Sequence, residues 1–142
     1  MPSGHLATAE IAIRAPRAKV WAALKDPAAT REYMFETTVT SDWTEGSPIT
    51  WEGVWEGKPY RDTGVIRRIV PGELLQYSHT SPRPGKPDAP GDEHLVTIRL
   101  SDADAATHVA LTQDNNPTEE AREHAERNWE QMLQGLKQYL ER

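Results

Sequence analysis

The sequence predicts an α+β fold in which a curved antiparallel sheet of about seven strands wraps a long C-terminal helix, with two short helices after the first strand. Three observations carry this. Apolar and polar residues alternate from Ala7 to Ile13, the period of a half-buried strand. The stretch from Phe35 to Leu111 repeats that period between turn-forming residues, and from Thr118 the apolar residues recur at spacings of three and four to the C-terminus. Strand and helix patterns kept apart along a chain indicate a layered α+β arrangement. With 142 residues and no cysteine, the chain reads as one domain over 1–142 whose core forms without disulfides or thiolate metal sites.

In the first strand Ala7, Ala9, Ile11 and Ile13 share a face. The strand should stop at Ala15, because Pro16 has the fixed φ that suits the first turn of a helix; Val20, Ala23 and Leu24 then form an apolar stripe beside Trp21. Asp26-Pro27 repeats the device, with Asp26 accepting from a free helix amide and Pro27 opening a second short helix as far as Met34. Phe35, Thr37, Val39 and Ser41 share one parity, and Ile49, Trp51, Gly53 and Trp55 another. Glu45-Gly46 and Glu56-Gly57 fall where the chain must reverse, so hairpins follow. From Tyr60 to Val70 charges lie on both parities and Gly64 interrupts the run, which predicts a bulge there and leaves the faces open. Pro71-Gly72 turns the chain into a strand from Leu74 to Thr80.

Ser81 to Asp92 contains four prolines and two glycines and is expected to form a long mobile hairpin loop, since it can neither pair nor wind. Val96, Ile98 and Leu100 mark the next strand. Val109, Leu111 and Gln113 mark the last, which ends at Asn115-Asn116-Pro117. Thr118 reads as the N-cap of the terminal helix, with Glu119 and Glu120 where the helix dipole favours negative charge. Ala121, Ala125, Trp129, Met132, Leu136 and Leu140 give that helix one apolar face, which needs a sheet to lie on.

Sixteen Lys and Arg against twenty-two Asp and Glu give a net charge of −6, which disfavours nucleic acid and anionic membrane as partners. Met1 to Glu10 lacks the pattern of a signal peptide and no eighteen apolar residues run together, so a cytoplasmic protein is expected. There is no glycine-rich phosphate loop, nucleophile elbow or dinucleotide fingerprint, and no cofactor is expected. Glu120 and His124 are spaced to meet one metal ion from a helix, but no third ligand is locatable and the five histidines show no ligand spacing. No metal site is therefore expected.

The run Ile13-Arg14-Ala15-Pro16-Arg17-Ala18-Lys19-Val20-Trp21-Ala22-Ala23-Leu24, followed by Asp26-Pro27, resembles the opening of START-like (SRPBCC) domains, especially the family of Hsp90 ATPase activator homologues. Gly64-Val65-Ile66 through Pro71 to Leu74 resembles that family's central strands, and Asn128-Trp129 with Leu133 and Leu136 its terminal helix. The chain departs from the family pattern at Asn128, often Gly, and at His79, often Trp. The resemblance implies a helix-grip (Bet v 1/START-like) fold. It also implies an internal cavity between sheet and terminal helix, used across the superfamily for lipids, polyketides and other apolar small molecules.

On that footing Trp51, Trp55 and Trp129 become candidate walls of a ligand cavity, with Tyr33, His79 and Gln113 as its polar contacts. In a chain with one Phe the same indoles read first of all as plain core, and the two roles do not exclude each other. His79 could serve as general acid or base, although spacing identifies no partner carboxylate, and Gln113 could orient a carbonyl. Catalytic residues are unknown. The expected function is binding of an apolar or aromatic small molecule by a monomer or homodimer. The alternatives are a protein-interaction module related to Hsp90 activators and a cyclase- or hydrolase-like enzyme using cavity residues.

Overall fold

The computed structural model describes residues 5–34, 36–55, 57–80, 94–116 and 118–141, with only the backbone of Trp55. The elements follow the order β1 (His5–Ile13), α1 (Arg17–Lys25), α2 (Pro27–Tyr33), β2 (Thr38–Ser41), β3 (Pro48–Trp55), β4 (Lys58–Val70), β5 (Leu74–His79), β6 (His94–Ala103), β7 (Ala106–Asn116) and α3 (Glu119–Glu141). The seven strands form one antiparallel sheet in the order β1-β7-β6-β5-β4-β3-β2. This is the helix-grip arrangement. The proline-rich segment expected between Ser81 and Asp92 lies outside the described residues.

The short helices start as their sequences dictate. Asp26 accepts from the Ala28 N–H at 2.9 Å and Pro27 opens α2. Pro16 stays extended just outside α1, which begins at Arg17 rather than at the proline. Thr118 caps α3 by accepting from the Ala121 N–H at 3.0 Å. The second strand begins at Thr38, later than the parity from Phe35 predicts. Glu36 is held in the left-handed region at φ +63° and the Thr37 N–H donates to the Met34 carbonyl at 3.0 Å, so the chain is still turning there.

Strand register brings the apolar parities onto one inner face. One row runs Leu75, Ile98, Leu111, Ala9, and the next Ile66, Tyr77, Val96, Gln113, Ala7. His79 and His94 pair directly in the row beyond. Ile49 and Trp51 of β3 and Val39 of β2 continue the same buried cluster, which α3 closes with Met132, Leu133 and Leu136. The register also assigns β4: Asp62 pairs with Trp51 and Gly64 with Ile49, so even-numbered residues face inward up to Ile66. The irregularity expected at Gly64 falls instead between Ile66 and Arg68. Gly64 has a different reason to be glycine, because a Cβ there would stand 1.8 Å from the Ser78 carbonyl oxygen.

Helix α3 seals the free edge of β1 with side chains. Glu126 accepts from the Thr8 N–H at 2.9 Å, Glu141 from the Arg14 N–H at 2.8 Å, and Lys137 donates to the Ala12 carbonyl at 3.2 Å. An unpaired strand edge is an aggregation hazard, and covering it with a helix is one of the standard remedies. Among the described residues no helix is long and apolar enough to cross a membrane.

The backbone amides of Thr8 and Arg14 are the main reason the carboxyls of Glu126 and Glu141 lie below the usual carboxylate range, with Arg122 and Lys137 adding to it. A carboxyl that titrates lower in the folded than in the unfolded chain contributes stability above its unfolded pKa of about 4.3, and that contribution is lost as pH falls below it. The melting temperature is therefore expected to drop on acidification from about pH 5 to about pH 3. A Glu126→Gln, Glu141→Gln double variant should drop less over the same window, because an amide does not titrate; equal slopes would contradict the edge-sealing role.

Candidate functional site: a cleft under the first half of the terminal helix

Between the first half of α3, the end of α2 and the ends of β6 and β7 lies a cleft of about 380 Å³. Its helix side explains why it is there. The residues α3 turns toward the sheet in this half include Ala121 and Ala125, whose side chains are too short to reach across, whereas further along Leu133 and Leu136 are fully buried. Met34 and Met132 close the inner end, and Trp129 supplies a flat wall.

The polar floor is largely self-satisfied. The Trp129 indole Nε1–H donates to Gln113 Oε1 at 2.7 Å, and Gln113 Nε2 donates to Asn116 Oδ1 at 3.0 Å. Asn116 Nδ2 in turn donates to the carbonyls of His5, at 2.8 Å, and Gln113, at 3.0 Å. Trp129 is thus fixed by a chain that ends in the backbone of β1. His94 is different. Its Nδ1 lies 2.8 Å from the Asp114 carbonyl, which can only accept, so Nδ1 carries the proton and the neutral ring leaves Nε2 as an acceptor. Among the described residues that Nε2 has no hydrogen-bond partner.

The residues singled out in the sequence fall into three places. Gln113 and Trp129 line the cleft, bonded to each other. Tyr33 and Trp51 lie behind Met34 and Met132, around a void of about 20 Å³. There the Tyr33 hydroxyl donates to the Ala23 carbonyl at 2.8 Å, and burial pushes the Tyr33 and Tyr77 phenols well above the usual tyrosine range, so both stay protonated. Trp51 packs against Tyr77 with ring centroids 5.1 Å apart. The third place holds His79, set edge-on to Trp51 at 4.8 Å, with Nε2 2.9 Å from Asp62 Oδ2. Trp55 pairs through its backbone with Lys58, and its side chain lies outside the described residues.

Sequence reasoning missed Asp62 because the register irregularity in β4 hides which parity faces inward. It missed His94 although the signal was present, since His94 shares a parity with Val96, Ile98 and Leu100. His124, weighed only as half of a metal pair with Glu120, lines the cleft instead. Among the described residues no three His, Cys, Asp or Glu side chains converge on a point where a metal could sit.

The family model of activator of Hsp90 ATPase homolog 1-like proteins matches residues 14–141. The chain belongs to this family. Its fold is similar to the solution structure of ChR145 from Cytophaga hutchinsonii, at 50% identity over 99% of this chain and 97% of that one, with a TM-score of 0.85. It is also similar to CV1439 from Chromobacterium violaceum, at 21% identity over 96% and 97% of the two chains and a TM-score of 0.81. The Aha1 dimer from Colwellia psychrerythraea matches at 18% identity over 96% of each chain, with a TM-score of 0.76. No curated protein matches the chain. Membership in the Hsp90 ATPase activator homologue family supports a ligand-binding or interaction domain in general terms.

Gln113 is the hinge of the polar chain in this family member. Gln113→Leu is expected to destabilise the fold by about 1 kcal/mol, the low end of the cost of an unpaired buried group, because Asn116 is buried while Trp129 is half-buried beside the cleft. In denaturant titrations the losses of Gln113→Leu and Trp129→Phe should combine to less than their sum in the double variant; additive losses would remove the hydrogen bond between them as the cause.

Proposed function

We propose that this domain binds a small, largely apolar or aromatic molecule in the cleft under the first half of α3. The observation that carries the reading is the cleft itself: about 380 Å³, with an apolar wall of Trp129, two methionines and two alanines facing a polar floor and rim. Small-molecule sites are generally concave, mostly apolar and of about 300–1,000 Å³. Gln113 and Asn116 are engaged in holding Trp129, and Thr37 is bonded to Tyr60. The inner acceptor open to a ligand is therefore His94 Nε2, with His124 and Asn128 exposed at the rim, which favours a ligand carrying a hydroxyl or N–H donor. Of the residues singled out in the sequence, Trp129 and Gln113 serve this site directly, while Tyr33 and Trp51 support its inner end. The reading is of a cytoplasmic binding protein. The Colwellia relative is described as a dimer, so the state of this chain is to be measured with and without ligand.

A second reading, a hydrolase- or cyclase-like activity, has one observation in its favour. Asp62 fixes Nε2–H of His79 and leaves Nδ1 as a base, the orientation a general base needs. Binding is preferred because His79 is packed against Trp51 outside the cleft lining.

The test is a fluorescence titration with 1-anilinonaphthalene-8-sulfonate and a set of aromatic and fatty-acyl compounds. Saturable one-to-one binding is expected. Ala125→Leu, which fills the cleft from the helix side, should weaken it at least tenfold while the circular dichroism spectrum stays native. Equal affinity in the variant, or no binding by the parent protein, would overturn the proposal and favour the interaction-module reading.

A further inference from the structure

The cleft ends at a wall, and that wall has an unusual composition. Behind it lies the void of about 20 Å³, ringed by Tyr33, Trp43, Trp51 and Tyr77 among others, with no charged side chain in its lining. The two linings share two residues, Met34 and Met132. Apart from Met1 these are the only methionines in the chain. Methionine is unbranched, has three rotatable bonds and adapts its shape at little cost, so it makes a deformable wall where leucine or an aromatic ring would make a fixed one.

The backbone behind each methionine is held. The Met34 N–H donates to the Thr30 carbonyl at 2.8 Å, and Met132 sits in the middle of α3, so any movement belongs to the side chains. Beyond them the packing is tight, with Trp51, Leu75, Tyr77 and Ile98 all buried. The space gained when the methionines part is therefore narrow and continuous with the cleft. It would take a slender apolar group and exclude a bulky or charged one.

We infer that Met34 and Met132 form a movable partition that sets how long a ligand this site accepts. The fitting ligand has a donor head at His94 and an unbranched apolar arm that passes between the methionines to end against Trp51 and Tyr77. This rests on the reading of the cleft as a binding site.

The experiment uses the full chain, labelled with ¹³C at the methionine methyls, titrated with n-alkyl alcohols from hexanol to dodecanol. Affinity should rise with chain length to a limit, and the longer alcohols should shift the methyl signals of both Met34 and Met132. Met132→Ala should move the limit by about three carbons, the heavy atoms removed. Each newly buried CH₂ contributes about fourfold, so the longest alcohols should bind at least tenfold tighter. Should that variant fail to fold, Met34→Ala is expected to lengthen the limit and Met132→Leu, stiffer at similar size, to shorten it. Bound alcohols with unshifted methyls and one length limit in every variant would overturn the partition and leave the cleft reading intact. If no alcohol of any length bound, both would fall.

Discussion

The height at which α3 is held above the sheet decides what else the molecule can be. Three side chains of the helix bond to the free edge of β1, two through carboxylates on the Thr8 and Arg14 amides and one through Lys137 on the Ala12 carbonyl. These contacts run from the middle of the strand, at Thr8, to just past its end, at Arg14, so the helix cannot tilt along this stretch without breaking them. Where its inner face carries Leu133 and Leu136 the gap is filled; where it carries Ala121 and Ala125 the gap stays open. The cleft is a consequence of a fixed separation and a graded side-chain length along a single helix.

Much of this was legible in the sequence. Period-two alternation located β1, β3, β6 and β7, and Asp26-Pro27 and Thr118 located helix starts that the hydrogen bonds bear out. Parity placed Trp51, His79 and Gln113 on one face of the sheet, as the register has them. Depth was not legible. Parity and helix periodicity say which face a side chain joins but not how far along the cavity it lies, so Trp51 and Trp129 could not be told apart as residues on opposite sides of a methionine wall. The Asp62–His79 pair was hidden for a related reason: a single irregularity between Ile66 and Arg68 shifts the inward parity within β4.

The polar groups of the inner face divide by what they are already bonded to. Gln113, Asn116 and Trp129 satisfy one another and the backbone, which rigidifies a wall at the expense of their freedom to bind anything else. His79 has its carboxylate and its indole neighbour. His94, which lines the cleft, is clamped through one nitrogen with the other open. A site with a directed acceptor at its inner end, an apolar helix wall and a polar rim selects ligands by shape and by where they carry a donor. The family the chain belongs to leaves room for that without naming a ligand.

The most direct test of this account is where a bound molecule sits. With alanine, methionine, leucine and valine methyls labelled, nuclear Overhauser contacts from bound 1-anilinonaphthalene-8-sulfonate should reach the Ala121 and Ala125 methyls and the Trp129 ring. Contacts should be absent from the apolar side chains exposed elsewhere, Leu6 and Val54. Contacts to Leu6 or Val54 with none to Ala121, Ala125 or Trp129 would contradict it.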